Sequence, residues 1–356
     1  MKAMLKGIIL FMLVVLVACG DNEETAEDSL EMTNKESTST ENDEGIDEEN
    51  NNEEKSLYPL TMTDASGKEH TFNEVPKIGC HWMGCAEILA DIGVIPHASS
   101  ATEDILTTAM AFPDGPPEHQ IRDGEDAEEW AATEVDVIFK RGPASPDDDA
   151  LEVAAPVFYL HGFNSSELRG LDEYYANYQI MGEIVGKQDE AEQAIKRFEN
   201  IVENLSEKSE GDLTDTQITI QFGHATDNYY LLNSDQIFCE IISENGLGQC
   251  IDTGIEDTSG IVGGEINAEA VLELDPDWIV YMGDVEERED VIWQRLSAVT
   301  DGNMYEADGN RYYCCSLRGM THALQEYGHY IVNSEIPHPG DGWEFNPLNS
   351  PLINKE

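Results

Sequence analysis

Strand and helix signals alternate on both sides of one long helical stretch. This predicts an α/β protein of two Rossmann-like lobes, each with a central parallel-rich sheet, joined by one long interlobe helix. Three observations carry the prediction. Short apolar runs such as 135–139 and 156–160 have the length of buried strands. Amphipathic segments such as 84–92 lie between such runs and stop at glycine. From 171 to 208 there is no proline, and apolar residues recur from Tyr178, Met181 and Ile184 to Phe198, Ile201 and Leu205, the pattern of one long helix, bent near Gly186.

The chain opens with Lys2 and Lys6, an apolar run over 7–17, and the ending Leu16-Val17-Ala18-Cys19. A basic start, a short apolar core and small residues at the end read as an export signal over 1–18, with Cys19 as the lipid-modified first mature residue. The run is shorter than the roughly 20 residues that span a bilayer, so a cleaved leader is favoured over a membrane helix. Residues 19–57 form an acidic tether. Between 20 and 56 there are 15 acidic residues against two lysines and almost no large apolar side chains. Such a segment cannot repay the entropy of ordering, and its self-repulsion extends it.

The 300 residues from Leu57 onward suffice for two domains. The whole chain carries −54; the signal lysines supply +2 and the tether −13, so the body carries −43. That charge repels nucleic acid and anionic lipid, favours a monomer, and fits a salty habitat where counterions screen the self-repulsion. Six cysteines follow Cys19: Cys80, Cys85, Cys239, Cys250, Cys314 and Cys315. Their even number outside the cytoplasm is compatible with disulfides, and a reducing habitat would leave thiols.

In order along the first lobe, 58–170, residues 60–63 and 70–72 form a hairpin turned at Asp64-Ala65-Ser66-Gly67, 75–80 a strand, 84–92 a helix ended by Gly93, and 135–139 and 156–160 parallel strands. The interlobe helix takes 171–208. In the second lobe, 209–345, strands are expected at 217–222, 278–282 and 311–315, and helices at 238–245, 268–274 and 321–332, with a tail over 346–356.

Ligands of open α/β sheets bind beyond the carboxyl ends of the strands, which nominates the loops that follow them. These contain His81, Trp82 and Met83; Arg141; His161; His224; and Arg318. Imidazole, indole, guanidinium and sulfur suit a large, partly aromatic or metal-bearing anion better than a sugar. His81, Met83 and Cys85 are a candidate soft-metal set, and the same residues also serve as ordinary cleft wall, with Cys80 and Cys85 as a disulfide. Arginine forks bind carboxylate or phosphate in two-pronged fashion, so Arg141 and Arg318 are either anion anchors or salt-bridge partners. No His-Glu-x-x-His motif, Gly-x-Ser-x-Gly elbow, phosphate loop or internal repeat is present, which argues against a hydrolase or a repeat adhesin.

Segments in order, 62–69, 87–94, 178–187, 240–246, 272–280 and 296–302, resemble the helical-backbone substrate-binding proteins of ABC importers for iron-siderophores, haem and cobalamin. The resemblance covers 58–332 and lies in the order and spacing of the segments. It implies a receptor without catalytic groups or an intrinsic cofactor. Such a receptor captures an iron chelate, haem or a corrinoid between its lobes and passes it to a permease and its ATPase. A bare divalent ion is the alternative cargo on the same fold. It also implies a docking carboxylate on each lobe, which the matching positions place at Glu269 in the second lobe and, with Pro146 where the acid is expected, at Asp147 in the first. The expected location is the extracytoplasmic face of the cell membrane, with Cys19 as anchor.

Overall fold

The computed structural model describes residues 57–100, 117–162, 170–209, 212–222, 228–232, 236–252, 265–282, 293–307 and 316–332. Strands β1 (Leu60–Thr63) and β2 (Glu69–Phe72) form the expected antiparallel hairpin, pairing Leu60 with Phe72 and Thr63 with Glu69. Asp64 builds its turn: one carboxylate oxygen accepts from the Ser66 N–H (2.9 Å), the Ser66 hydroxyl (2.6 Å) and the Lys68 N–H (3.0 Å). The other accepts from the Tyr159 N–H at 3.2 Å and contacts His70 Nε2 at 3.0 Å, which fastens the hairpin to the first sheet. Burial raises the Asp64 carboxyl, but these bonds outweigh it and hold it below its ordinary value.

The first lobe is a wholly parallel sheet. Its order is β5 (His119–Gln120), β4 (Ala98–Ser99), β3 (Ile78–Cys80), β6 (Val137–Arg141), β7 (Val157–Leu160). Helices α1 (Met83–Asp91), α2 (Ala127–Ala131) and α3 (Asp149–Ala154) accompany it. The second sheet has β8 (Gln217–Phe222), β12 (Trp278–Met282) and β13 (Met304–Glu306) in parallel, with β10 (Gln249–Cys250) beside the start of β8. β9 (Asn228–Leu231) and β11 (Glu265–Asn267) extend it in antiparallel fashion, so this sheet is mixed at one side. The strand expected at 311–315 lies outside the described residues.

The single helix expected over 171–208 is two: α4 (Leu171–Val185) and α5 (Gln188–Lys208). Gly186 adopts a left-handed φ of 68°, with its N–H on the Glu183 carbonyl and the Lys187 N–H on the Gly182 carbonyl at 2.6 Å. That pair of bonds closes a helix end, and glycine takes the conformation without a Cβ clash. The close approach also requires Gly182, whose Cβ would lie 2.7 Å from that of Ala191.

α5 buries Ala191, Ala194, Ile195, Phe198, Ile201 and Leu205, one stripe at helical spacing. This stripe belongs to a core that runs without interruption from Ile78, Ile88 and Phe139 of the first lobe to Ile220, Phe238 and Tyr327 of the second. The remaining second-lobe helices are α6 (Ile237–Glu244), α7 (Ala268–Leu274), α8 (Ser297–Asp301) and α9 (Leu317–Tyr330). α9 begins four residues before the expected 321, because Ser316 accepts the Gly319 N–H at 3.0 Å and caps it.

Polar contacts tie α1 to the second lobe and to the helices between the lobes. The Ser316 hydroxyl donates to Glu87 of α1 at 2.5 Å. Asp91, also on α1, accepts from the Tyr178 hydroxyl at 2.7 Å and lies 3.7 Å from Arg197 of α5. Burial pushes Asp91 above its ordinary value against the Tyr178 bond and the charges of Arg318 and Arg197.

Candidate functional site

Three parallel strand ends converge in the first lobe. β3 runs out at His81-Trp82-Met83, β6 ends on Lys140-Arg141, and β7 leads into His161-Gly162. The His81 N–H donates to the Phe139 carbonyl at 2.9 Å and the Gly142 N–H to the Leu160 carbonyl at 3.0 Å, so the ladder continues into the loops and sets them side by side. Sheet register therefore delivers His81, Trp82, Met83, Arg141 and His161 to one edge of the lobe.

Arg141 lies over the Trp82 ring, 5.3 Å from its centre. Its Nη2 is 3.8 Å from Glu173 of α4, with the Arg141 and Glu173 side chains only 14% and 9% exposed. Gly162 lets the guanidinium pass: a Cβ there would sit 2.0 Å from Arg141 Nε. Gly84 does the same for the indole, since its Cβ would meet the Trp82 ring at 2.1 Å. The result is a mostly enclosed cation over an aromatic face, in a chain of net charge −54.

The two histidines are positioned differently. His81 Nε2 stands 3.1 Å from Glu125, its ring stacks on Trp130 with centres 6.3 Å apart, and its carbonyl accepts from the Ser100 hydroxyl at 2.5 Å. Burial, then the charge of Lys140, lowers its imidazole against the pull of Glu125 and Asp148. His161 is braced through its backbone by the Asn177 side chain, at 2.9 Å on N–H and 3.0 Å on the carbonyl. Its Nδ1 is buried with no hydrogen-bond partner among the described residues, and burial lowers its pKa. Both rings are thus held toward the neutral form, which can ligate a metal or accept a hydrogen bond.

Lys140 is engaged with Asp148 at 2.5 Å and Glu125 at 3.4 Å, which leaves Arg141 as the cation on the indole. Cys80 and Cys85 form a disulfide across the His81–Trp82–Met83 loop, so their sulfurs are not thiolate ligands; Cys239 and Cys250 form a second. Arg318 occupies the first turn of α9, 5% exposed, where its charge acts on Asp91 between the lobes. Glu269 is exposed in the first turn of α7, next to the Asn267 cap that accepts the Ala270 N–H at 2.9 Å. Asp147 lies in a 3-10 turn, Pro146–Asp148, between β6 and α3. His224, Cys314, Cys315 and Cys19 lie outside the described residues.

Sequence reasoning missed Glu173, Asn177, Glu125 and Trp130. Each reaches the site from a helix or loop remote in sequence, so local pattern carries no signal for it. A concavity of about 480 Å³ lined by Lys68, His70, Phe72, Asp136 and Glu152 borders the starts of the strands, away from these loops. Among the described residues, no helix is long and apolar enough to cross a membrane.

Residues 136–310 match the family described as periplasmic binding protein, and the resemblance drawn from the sequence is borne out. The fold is that of binding proteins with two lobes linked by a helix. A Bacillus subtilis protein provisionally named ABC transporter substrate-binding lipoprotein YhfQ is 22% identical over 276 residues, covering 72% of this chain and 83% of its own. Among solved structures, the triscatecholate siderophore binding protein FeuA of Bacillus subtilis, complexed with ferri-bacillibactin, is 14% identical. It aligns with a TM-score of 0.62 over 78% of this chain and 100% of its own. PiaA of Streptococcus pneumoniae in complex with ferrichrome is 16% identical, with a TM-score of 0.56 over 77% of this chain and 97% of its own. At these identities the likeness to the solved structures is one of fold.

Proposed function

We propose that this chain is the extracytoplasmic substrate-binding component of an ABC importer, a receptor without catalytic chemistry whose cargo is a ferric siderophore, with haem or a corrinoid as the next candidates. The observation that carries this reading is the Arg141 guanidinium lying over the Trp82 ring at the convergence of three strand ends. A flat cation on an aromatic platform suits an anionic, delocalised chelate. His81, Met83, His161 and His224 are the remaining proposed walls, with Arg318 in the joint behind them. The fold neighbours crystallised with ferri-bacillibactin and ferrichrome support the same cargo class.

In this reading Cys19 carries the lipid anchor, the acidic tether spaces the body from the membrane, and Glu269 and Asp147 face the permease. The exposure of Glu269 supports its part. The bare-ion alternative is less favoured because the strand-end loops bring no group of three histidine and carboxylate ligand atoms together among the described residues. Tryptophan fluorescence titration of the purified body with ferrichrome, ferri-bacillibactin, haem and cobalamin tests the proposal. Saturable binding to one of them supports it; silence toward all four, with tight binding of bare manganese or zinc in the cleft, overturns it.

A further inference from the structure

We propose that His97, Glu118 and His119 form a binding site for a borderline divalent transition ion, zinc in the first instance, at the edge of the first sheet opposite the strand-end loops. The ligand atoms of the three lie within 4.8 Å of one another. Sheet register creates the cluster: His97 immediately precedes β4, His119 opens β5, and the His119 N–H donates to the His97 carbonyl at 3.2 Å. The two rings approach edge-on, with centres 4.9 Å apart. Because both strands run away from this edge toward the loops around Trp82, the cluster is separate from the cleft.

The hydrogen bonding prepares His97 as a ligand. Its Nε2 lies 3.0 Å from the Thr133 carbonyl, and only an N–H can make that contact favourably. In the neutral ring the lone pair is then on Nδ1, which lies 3.6 Å from Glu118 Oε2. A backbone carbonyl behind a ligating imidazole is the usual outer support of a metal site. Thr133 is itself fixed, with its N–H and hydroxyl both on the Trp130 carbonyl at 3.0 and 2.7 Å. On the open side, Glu118 Oε1 lies 3.9 Å from His119 Nε2, and these side chains are 71% and 38% exposed against 21% for His97. One hydrogen-bonded ligand and two more exposed ones can contract to the about 2.0–2.1 Å bonds of zinc. Two imidazoles with one carboxylate favour zinc, nickel or cobalt over calcium or magnesium, which prefer all-oxygen shells. An adjoining concavity of about 360 Å³, lined in part by Pro96, His97 and Glu118, gives solvent access to the open coordination position.

The inference does not depend on the cargo of the cleft. Its test is calorimetric titration of the chelator-stripped full chain with zinc in excess magnesium, which occupies the general acidic surface, together with the visible spectrum after cobalt addition. A single zinc site and a cobalt spectrum of low coordination number are expected. Glu118→Gln and His119→Gln should each weaken zinc by at least about tenfold, the lower end for a disturbed metal shell. The metal-free melting temperature should remain as in the parent chain. His97 is left intact because its Thr133 bond also supports the fold. Zinc binding that magnesium abolishes, or that both variants retain at full strength, would overturn the site.

Discussion

Glu173→Gln is expected to tighten the binding of an anionic ferric chelate, and Arg141→Met to weaken it. The two groups stand 3.8 Å apart with side chains 9% and 14% exposed. At an effective dielectric of about 20 their attraction is about 4 kcal/mol before the cost of desolvation, which cancels much of it. An incoming anion competes with Glu173 for the guanidinium. Removing that carboxylate charge should return about 1–2 kcal/mol to the ligand, a gain of about 5- to 30-fold in affinity. Arg141→Met loses a charge-assisted contact with the ligand, about 1.5–3 kcal/mol. It also removes the cation that Glu173 faces, at a stability cost of about 3–5 kcal/mol. The double variant Arg141→Met/Glu173→Gln separates the effects: it should recover most of the stability and none of the affinity. Urea denaturation reads the first and fluorescence titration the second. Weaker binding by Glu173→Gln, or parental affinity in the double variant, would show that Arg141 serves Glu173 alone.

Three further outcomes follow from the geometry. Ser316→Ala removes both the α9 cap and the hydroxyl on Glu87, and the urea midpoint should fall by the equivalent of about 1–3 kcal/mol; an unchanged midpoint would remove this contact from the interlobe joint. Burial raises the Asp148 carboxyl, but hydrogen bonds from Lys140, the Ser145 N–H and Tyr159 outweigh it and hold it low. Its stabilisation is therefore complete above the unfolded value near 3.8 and is lost as pH falls through the lower folded value, so Asp148→Asn should be less stable at neutral pH and lose less on acidification. Parallel stability curves for parent and variant would contradict that. Glu269→Lys should impair uptake with ligand affinity unchanged, since the residue is exposed at a helix start; a matching loss of affinity would place it in the cleft instead.

Much of this architecture was legible because it rests on local period. The hairpin, β6, β7, β8, β12 and α7 fall close to where alternation and helical spacing put them. The two-residue strands β4, β5 and β10 are too short to show a period, and β9 and β11 reverse direction without a sequence signal of orientation. The break at Gly186 was visible as a glycine, but the charged, proline-free run around it reads as continuous helix until the Lys187–Gly182 bond is seen. In the candidate site, the rule about strand ends nominated His81, Trp82, Arg141 and His161, which the sheet register sets along one edge of the lobe. That rule does not point to Glu173 or Asn177, which meet Arg141 and the His161 backbone from α4. The same rule nominated Arg318; the Ser316 cap starts a helix there, and the charge of Arg318 in its first turn acts on Asp91.

The central claim, that the cleft carries a ferric chelate, is tested most directly by native mass spectrometry and the visible spectrum of the chain purified from its own membrane. A bound organic chelator with one iron, lost together with its charge-transfer band on Trp82→Ala or Arg141→Ala, is the result expected. A chain carrying only a bare divalent ion in the cleft, or a chelate retained at full occupancy by both variants, would contradict the account.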